Sequence, residues 1–121
     1  MCIRDRSNKD LTGTILTGAD LTDAILTGVG LSGKDLTGTT LTGADLSNAN
    51  LIDANLVDAN LQNTDLRFTL LVDANLTNAI LTGADLTNAI LTGAILTDAN
   101  LENAVLTNAI LNCVGHSICI S

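Results

Sequence analysis

The chain has 121 residues and is 46% hydrophobic, yet it contains no Pro, Trp or Tyr and a single aromatic residue, Phe68. A core built without aromatic bulk has to be made of Leu, Ile and Ala, and has to be narrow and regular. A net charge of −8 and a pI near 4.1 exclude the clustered Lys and Arg that direct contact with nucleic acid or an anionic membrane requires, and no apolar run approaches the ~18 residues of a membrane span.

Residues 1–6 (Met1-Cys2-Ile3-Arg4-Asp5-Arg6) fit no repeat. They resemble the translation of a transposase end sequence ligated to fragments in sequencing libraries, and the natural protein is expected to extend upstream of Ser7. Position 6, where Leu is due, holds Arg6, while Ser7 and Asn8 already match the pair Ser47-Asn48.

Over residues 7–112 Leu recurs at every fifth position, from Leu11 through Leu46, Leu51, Leu76, Leu81 and Leu86 to Leu111, giving 21 centres in register. Two residues before each centre Ala dominates, as in Ala49, Ala79 and Ala84, with Thr in most remaining slots. Two residues after it stands Gly, Asn or Asp, with Phe68 and Cys113 as exceptions. A helix advances ~500° over five residues, so its leucines would wander round the axis. A continuous strand has a side-chain period of two and would send alternate leucines to opposite faces. The pattern works if each pentapeptide is one short side of a coil followed by a turn, with Leu and Ala aimed at the axis. Gly, Asn and Asp then occupy the turn position where φ is positive, as in a type II turn. At Phe68 the corner is expected to differ from the rest. Lys34, in an inward slot, is expected to make its coil irregular and to turn outward towards Asp35.

Ala44-Asp45-Leu46, Ala49-Asn50-Leu51 and Ala84-Asp85-Leu86 resemble the consensus of the pentapeptide-repeat family over residues 7–113. The resemblance implies an all-β fold, a right-handed quadrilateral parallel β-helix with four pentapeptides per coil. At that count the repeats make about five coils, roughly 24 Å tall at the ~4.8 Å spacing of neighbouring strands.

After Leu111 the register fails, since position 116 holds His116. Residues 113–121 are expected to form an irregular tail or a partial cap. Cys113, His116 and Cys119 give C-x2-H-x2-C, three soft ligands where a structural zinc site wants four. Ordinary tail residues are the expectation there, with a Cys113–Cys119 disulfide as an alternative, and no metal is expected.

With His116 as the only histidine, no nucleophile–base arrangement can be assembled. No catalytic residue, cofactor or small-molecule substrate is expected. Residues twenty apart share a column, so Asp45, Asp65 and Asp85 form an acidic column whose carboxylates are expected to raise one another's pKa and attract cations. One reading is a solvated face. The other follows from the resemblance, because some members of the family are acidic rods that occupy the DNA groove of type II topoisomerases. Residues 11–112 carry eleven acids against Lys34 and Arg67, whereas DNA carries about 14 charges over such a length. The outward slots of Leu70, Ile90 and Ile110, with Ile52 and Val72 at the adjoining corner and Phe68 at the other, make an apolar patch of the kind that marks a partner surface. The expected function is a non-enzymatic scaffold or protein-interaction module, with a protein partner or a homodimer, without direct nucleic-acid or membrane contact, in the cytoplasm. The alternative is a DNA-mimicking inhibitor of gyrase.

Overall fold

The structure, a computed structural model, describes residues 11 and 14–120. The expectation for residues 1–6 lies outside the described residues.

Every residue pairing between coils from Asp20 to Ile110 follows one rule. Asp20 pairs in parallel with Thr40, Thr40 with Asn60, Asn60 with Ile80, and the same step of twenty recurs on all four sides up to Ile90 with Ile110. A step of twenty is four pentapeptides per turn, and each side contributes a single bridging residue, the one before Leu. Every corner from Gly18 to Asn108 has φ between 57° and 73°, the left-handed region that Gly, Asn and Asp tolerate best.

Four of the five backbone amides of a repeat inside the stack are satisfied within this geometry, and Asp20 to Ala24 with Thr40 show how. The Leu21 amide donates to Thr40 in the next coil at 2.7 Å, the Asp23 amide donates to Thr42 at 2.9 Å, and the Ala24 amide closes the turn on Leu21 at 3.0 Å. The bridging residue donates in the other direction, as Thr40 does to Ala19 at 2.9 Å. One amide is left over, that of the residue after Leu. Wherever an Asp or Asn stands before Leu, its Oδ1 accepts that amide: Asp20 from Thr22 at 3.0 Å, Asn55 from Val57 at 3.1 Å, Asn100 from Glu102 at 3.0 Å. The outward Asp/Asn slot is therefore a local backbone cap, the helical N-cap principle transferred to a solenoid side.

The interior is a leucine column. Leu16 to Leu96 are each at most 1% exposed, and Ala24, Ala44, Ala49, Ala79 and Ala84 fill the slots between them. Buried Thr64 and Thr69 replace Ala in two slots, and their hydroxyls donate to the carbonyls of Leu41 at 2.8 Å and Leu66 at 2.6 Å. No buried side-chain polar atom lacks a partner among the described residues, as a dry core requires.

Lys34 departs from expectation. Its coil is regular: the Lys34 amide closes the turn on Leu31 at 3.1 Å and Asp35 pairs with Asn55. Its ammonium does not turn to Asp35 but donates to the carbonyl of Thr14, one coil below, at 3.1 Å. The flexible stem thus carries the charge to a carbonyl of the coil below without distorting the side.

Candidate interaction surfaces

Phe68, Leu70 and Val72 lie on one side of one coil, with Thr69 and Leu71 buried between them. Leu70 pairs with Ile90 and Ile90 with Ile110, so these three climb the same face, and Ile52 stands one coil below Val72. Phe68 is 53% exposed and Ile110 46%, while Leu70, Val72, Ile52 and Ile90 are half-buried by their neighbours.

The Phe68 corner does not differ from the others. Its φ is 60° and its amide donates to Thr87 at 3.0 Å, the bond every corner from Gly18 to Gly93 makes to the next coil. The coil dictates the backbone and the phenyl group accepts it, at a strain on the order of 1–3 kcal/mol that glycine would not carry. Packing repays this only in part, since Phe68 is left 53% exposed.

Further outward apolar residues escaped the sequence reading: Ile25, Ile80, Ile95, Val105 and Val114 are all exposed. From Ile80 onward the residue before Leu is Ile or Val at most positions, whereas from Asp20 to Asn75 it is polar or Gly except at Ile25 and Leu70. The signal was present in that one slot, read along the chain rather than by face.

On the adjacent face Asp45 pairs with Asp65 and Asp65 with Asp85. The expected mutual raising of their pKa does not occur at Asp45 and Asp85, which both lie below the ordinary carboxylate value. At Asp45 burial pushes upward, but the hydroxyl and amide of Ser47, the hydroxyl of Thr27 and the charge of Arg67 together outweigh it. At Asp85 the Thr87 hydroxyl, donating at 2.5 Å, is the largest cause; burial opposes it, and the Thr87 amide and Arg67 assist. Arg67 grips Asp65 with two parallel bonds, Nε to Oδ1 at 2.8 Å and Nη2 to Oδ2 at 2.6 Å, and so places a cation at the middle of the column. Hydrogen bonds to the charged form and one central guanidinium decide the outcome over like-charge repulsion.

Asp20 and Asp35 are lowered in the same way, by the hydroxyls of Thr22 and Thr37 first and their amides second. A lowered native pKa contributes stability above the unfolded value and loses it as pH falls through the native one. The urea midpoint is therefore expected to hold from pH 7 to about pH 5 and to drop below about pH 4. Asp85→Asn, which keeps the amide cap, should flatten that drop; an unchanged acid limb would show that these caps do not respond to protonation.

Cys113 and Cys119 are joined by a disulfide, the alternative reading of this tail, in place of the ordinary tail residues expected first. Among the described residues no group of His, Cys, Asp and Glu is arranged to hold a metal ion, and no helix is long and apolar enough to cross a membrane.

Taken together, the geometry is that of a four-sided β-solenoid displaying its variable residues on flat outer faces. The family described as pentapeptide repeats (8 copies) matches residues 7–43, 31–67 and 69–108. The solved structure of Rfr23, a pentapeptide repeat protein from the cyanobacterium Cyanothece 51142, is 40% identical with a TM-score of 0.74, over 79% of this chain and 67% of that one. A pentapeptide repeat protein of the Arabidopsis thaliana thylakoid lumen is 26% identical with a TM-score of 0.71, over 93% of this chain and 72% of that one. QnrB1, a plasmid-mediated fluoroquinolone resistance protein, shares the fold at 17% identity and a TM-score of 0.55, over 89% of this chain and 70% of its own. No curated protein matches the sequence. The chain belongs to the pentapeptide-repeat family, and its coil is that family's right-handed quadrilateral β-helix.

Proposed function

We propose that the chain is a non-enzymatic scaffold whose Phe68 face binds protein, a second copy of the chain being the partner most directly tested. The observation that carries this is Phe68 itself: a strained, half-exposed aromatic at a corner that glycine or asparagine fills more cheaply, beside Leu70 and Val72 and below Ile90. Backbone strain at a residue whose ring stays half-exposed, joined to a contiguous apolar patch, supports a surface kept for binding.

The double change Phe68→Asn, Leu70→Asn removes the patch. It also restores an ordinary corner residue and an amide cap for Val72, so the variant should fold and melt no lower than the parent. Sedimentation velocity is expected to show self-association of the parent and a monomeric variant. Identical assembly states would remove the homodimer. The rival, an acidic rod that imitates DNA, is disfavoured because Asp20, Asp35, Asp45, Asp65 and Asp85 cap backbone amides and Arg67 sits at the centre of the acidic column. Inhibition of gyrase supercoiling by the whole chain, fading with added salt, would reverse that preference.

A further inference from the structure

The last coil closes one residue short. Ile95 pairs with Val114, a step of nineteen instead of twenty, because Asn112 runs into Cys113 with no left-handed corner between them. The omission swings Cys113 into the inward slot that alanine holds elsewhere, where it is 7% exposed. Gly115 then turns with φ 87°, the Cys119 amide closes a turn on His116 at 3.1 Å, and the Ile120 amide returns to the Leu111 carbonyl at 2.8 Å. Ile118 and Cys119 pack against the end of the core. The leucines of this end layer, Leu101, Leu106 and Leu111, are only half-buried, unlike the leucines below them.

We propose that the Cys113–Cys119 disulfide is a redox clasp that fastens residues 116–120 across the end layer and lets them go when a low-molecular-weight thiol reduces it. Cys119, partly buried, is the more accessible sulfur; Cys113 is enclosed. A thiolate of the reductant attacks the Cys119 sulfur, the Cys113–Cys119 bond breaks, and Cys113 leaves as a thiolate that takes up a proton. A second reductant thiolate attacks the reductant sulfur of the mixed disulfide, and Cys119 leaves as a thiolate that is protonated in turn. Two electrons enter the protein, and two reductant thiols depart as their disulfide. Reduced Cys113 is small and apolar enough to stay in its alanine-like slot, so the coil keeps its pairing. Beyond Gly115 the segment then has only hydrogen bonds and the packing of Ile118. The switch acts on the end of the rod and leaves its body alone. Oxidising surroundings keep the end covered and reducing ones open it.

Amide hydrogen exchange on the whole chain tests this, comparing oxidised protein, protein in millimolar glutathione, and the Cys113→Ala, Cys119→Ser variant. With a sequence separation of six between the cysteines, freeing the loop is expected to speed exchange at Cys119 and Ile120 about fiftyfold. Amides of Leu51 to Leu76 should not change, and alkylation should label Cys119 before Cys113. Changes of less than roughly threefold at Ile120 would mean that the segment holds without the clasp. Equal loss of protection in the central coils would make the bond a staple of the whole fold, and resistance to glutathione would make it permanent; any of these overturns the proposal. Because reduced parent and variant are compared, a variant that fails to fold is recognised by its central amides and cannot pass for release.

Discussion

Leu66→Ala is expected to lower the stability of the rod by about 3 kcal/mol, within the 2–5 kcal/mol that truncating a buried leucine costs when the site cannot collapse. Leu66 is 0% exposed, with leucine layers above and below it. Its surroundings cannot close in. The Leu66 amide is bound to Asp85 at 2.8 Å, its carbonyl accepts the Thr69 hydroxyl at 2.6 Å, and the corner amide of Phe68 is tied to Thr87 at 3.0 Å. A backbone fixed to the next coil at every repeat keeps the cavity open, so the transfer and cavity terms both count. The melting temperature should fall by roughly 10 °C. The same change at Leu101, half-buried at the end layer, should cost well under half as much. Because coils lean only on their neighbours, the central gap should also broaden the urea transition. A drop at Leu66 no larger than at Leu101 would mean that the axial column does not hold the coils together.

The parts of this structure that depend on one residue's spacing from the next were readable from the chain, and those that depend on leftover bonding groups were not. Leu at every fifth place, Ala two before and Gly or Asx two after fix inward slots and corners, because only a bent coil lets an odd spacing keep one side buried. The Asp/Asn before Leu looked like charge. Its actual role, capping the amide of the residue after Leu, emerges only once the other four amides of the repeat have been assigned, three between coils and one within the turn, as for Asp20 and Thr22. The same oversight led to a wrong sign at Asp45 and Asp85, where columnar repulsion was weighed without the hydroxyls of Ser47 and Thr87 or the reach of Arg67. At Phe68 the error ran the other way: a bulky side chain was credited with power over a corner that the interlocked coils impose. The Cys113 slip was half legible. Loss of register at His116 was plain, but the omitted corner lies earlier, and the pair Cys113-Val114 reads as inward slot and bridging residue only if Asn112 is allowed to skip its turn.

Gly115→Ala should lift the returning segment off the coil between its two cysteines and cost about 2–4 kcal/mol at this end of the described rod. Two effects add. Gly115 has φ 87°, where an L side chain is strained, and a Cβ there would lie 2.9 Å from the Thr97 backbone nitrogen and 3.1 Å from its Cα, besides meeting the Thr97 hydroxyl. A side-chain tip could rotate away, but backbone bound into the coil cannot. Gly33 supplies the contrast: its φ is 67° and a Cβ would meet nothing within 4 Å, so Gly33→Ala should carry the conformational cost alone, about 1 kcal/mol. In the variant at Gly115 the amides of Val114 and Ile120 should exchange faster although the disulfide is intact, since the clash lies inside the loop that Cys113 and Cys119 close and pushes it off Thr97. Gly33→Ala should leave them protected. If Gly115→Ala keeps Ile120 protected, the chain can turn back without a glycine at this point, and the path assigned to residues 114–120 is wrong.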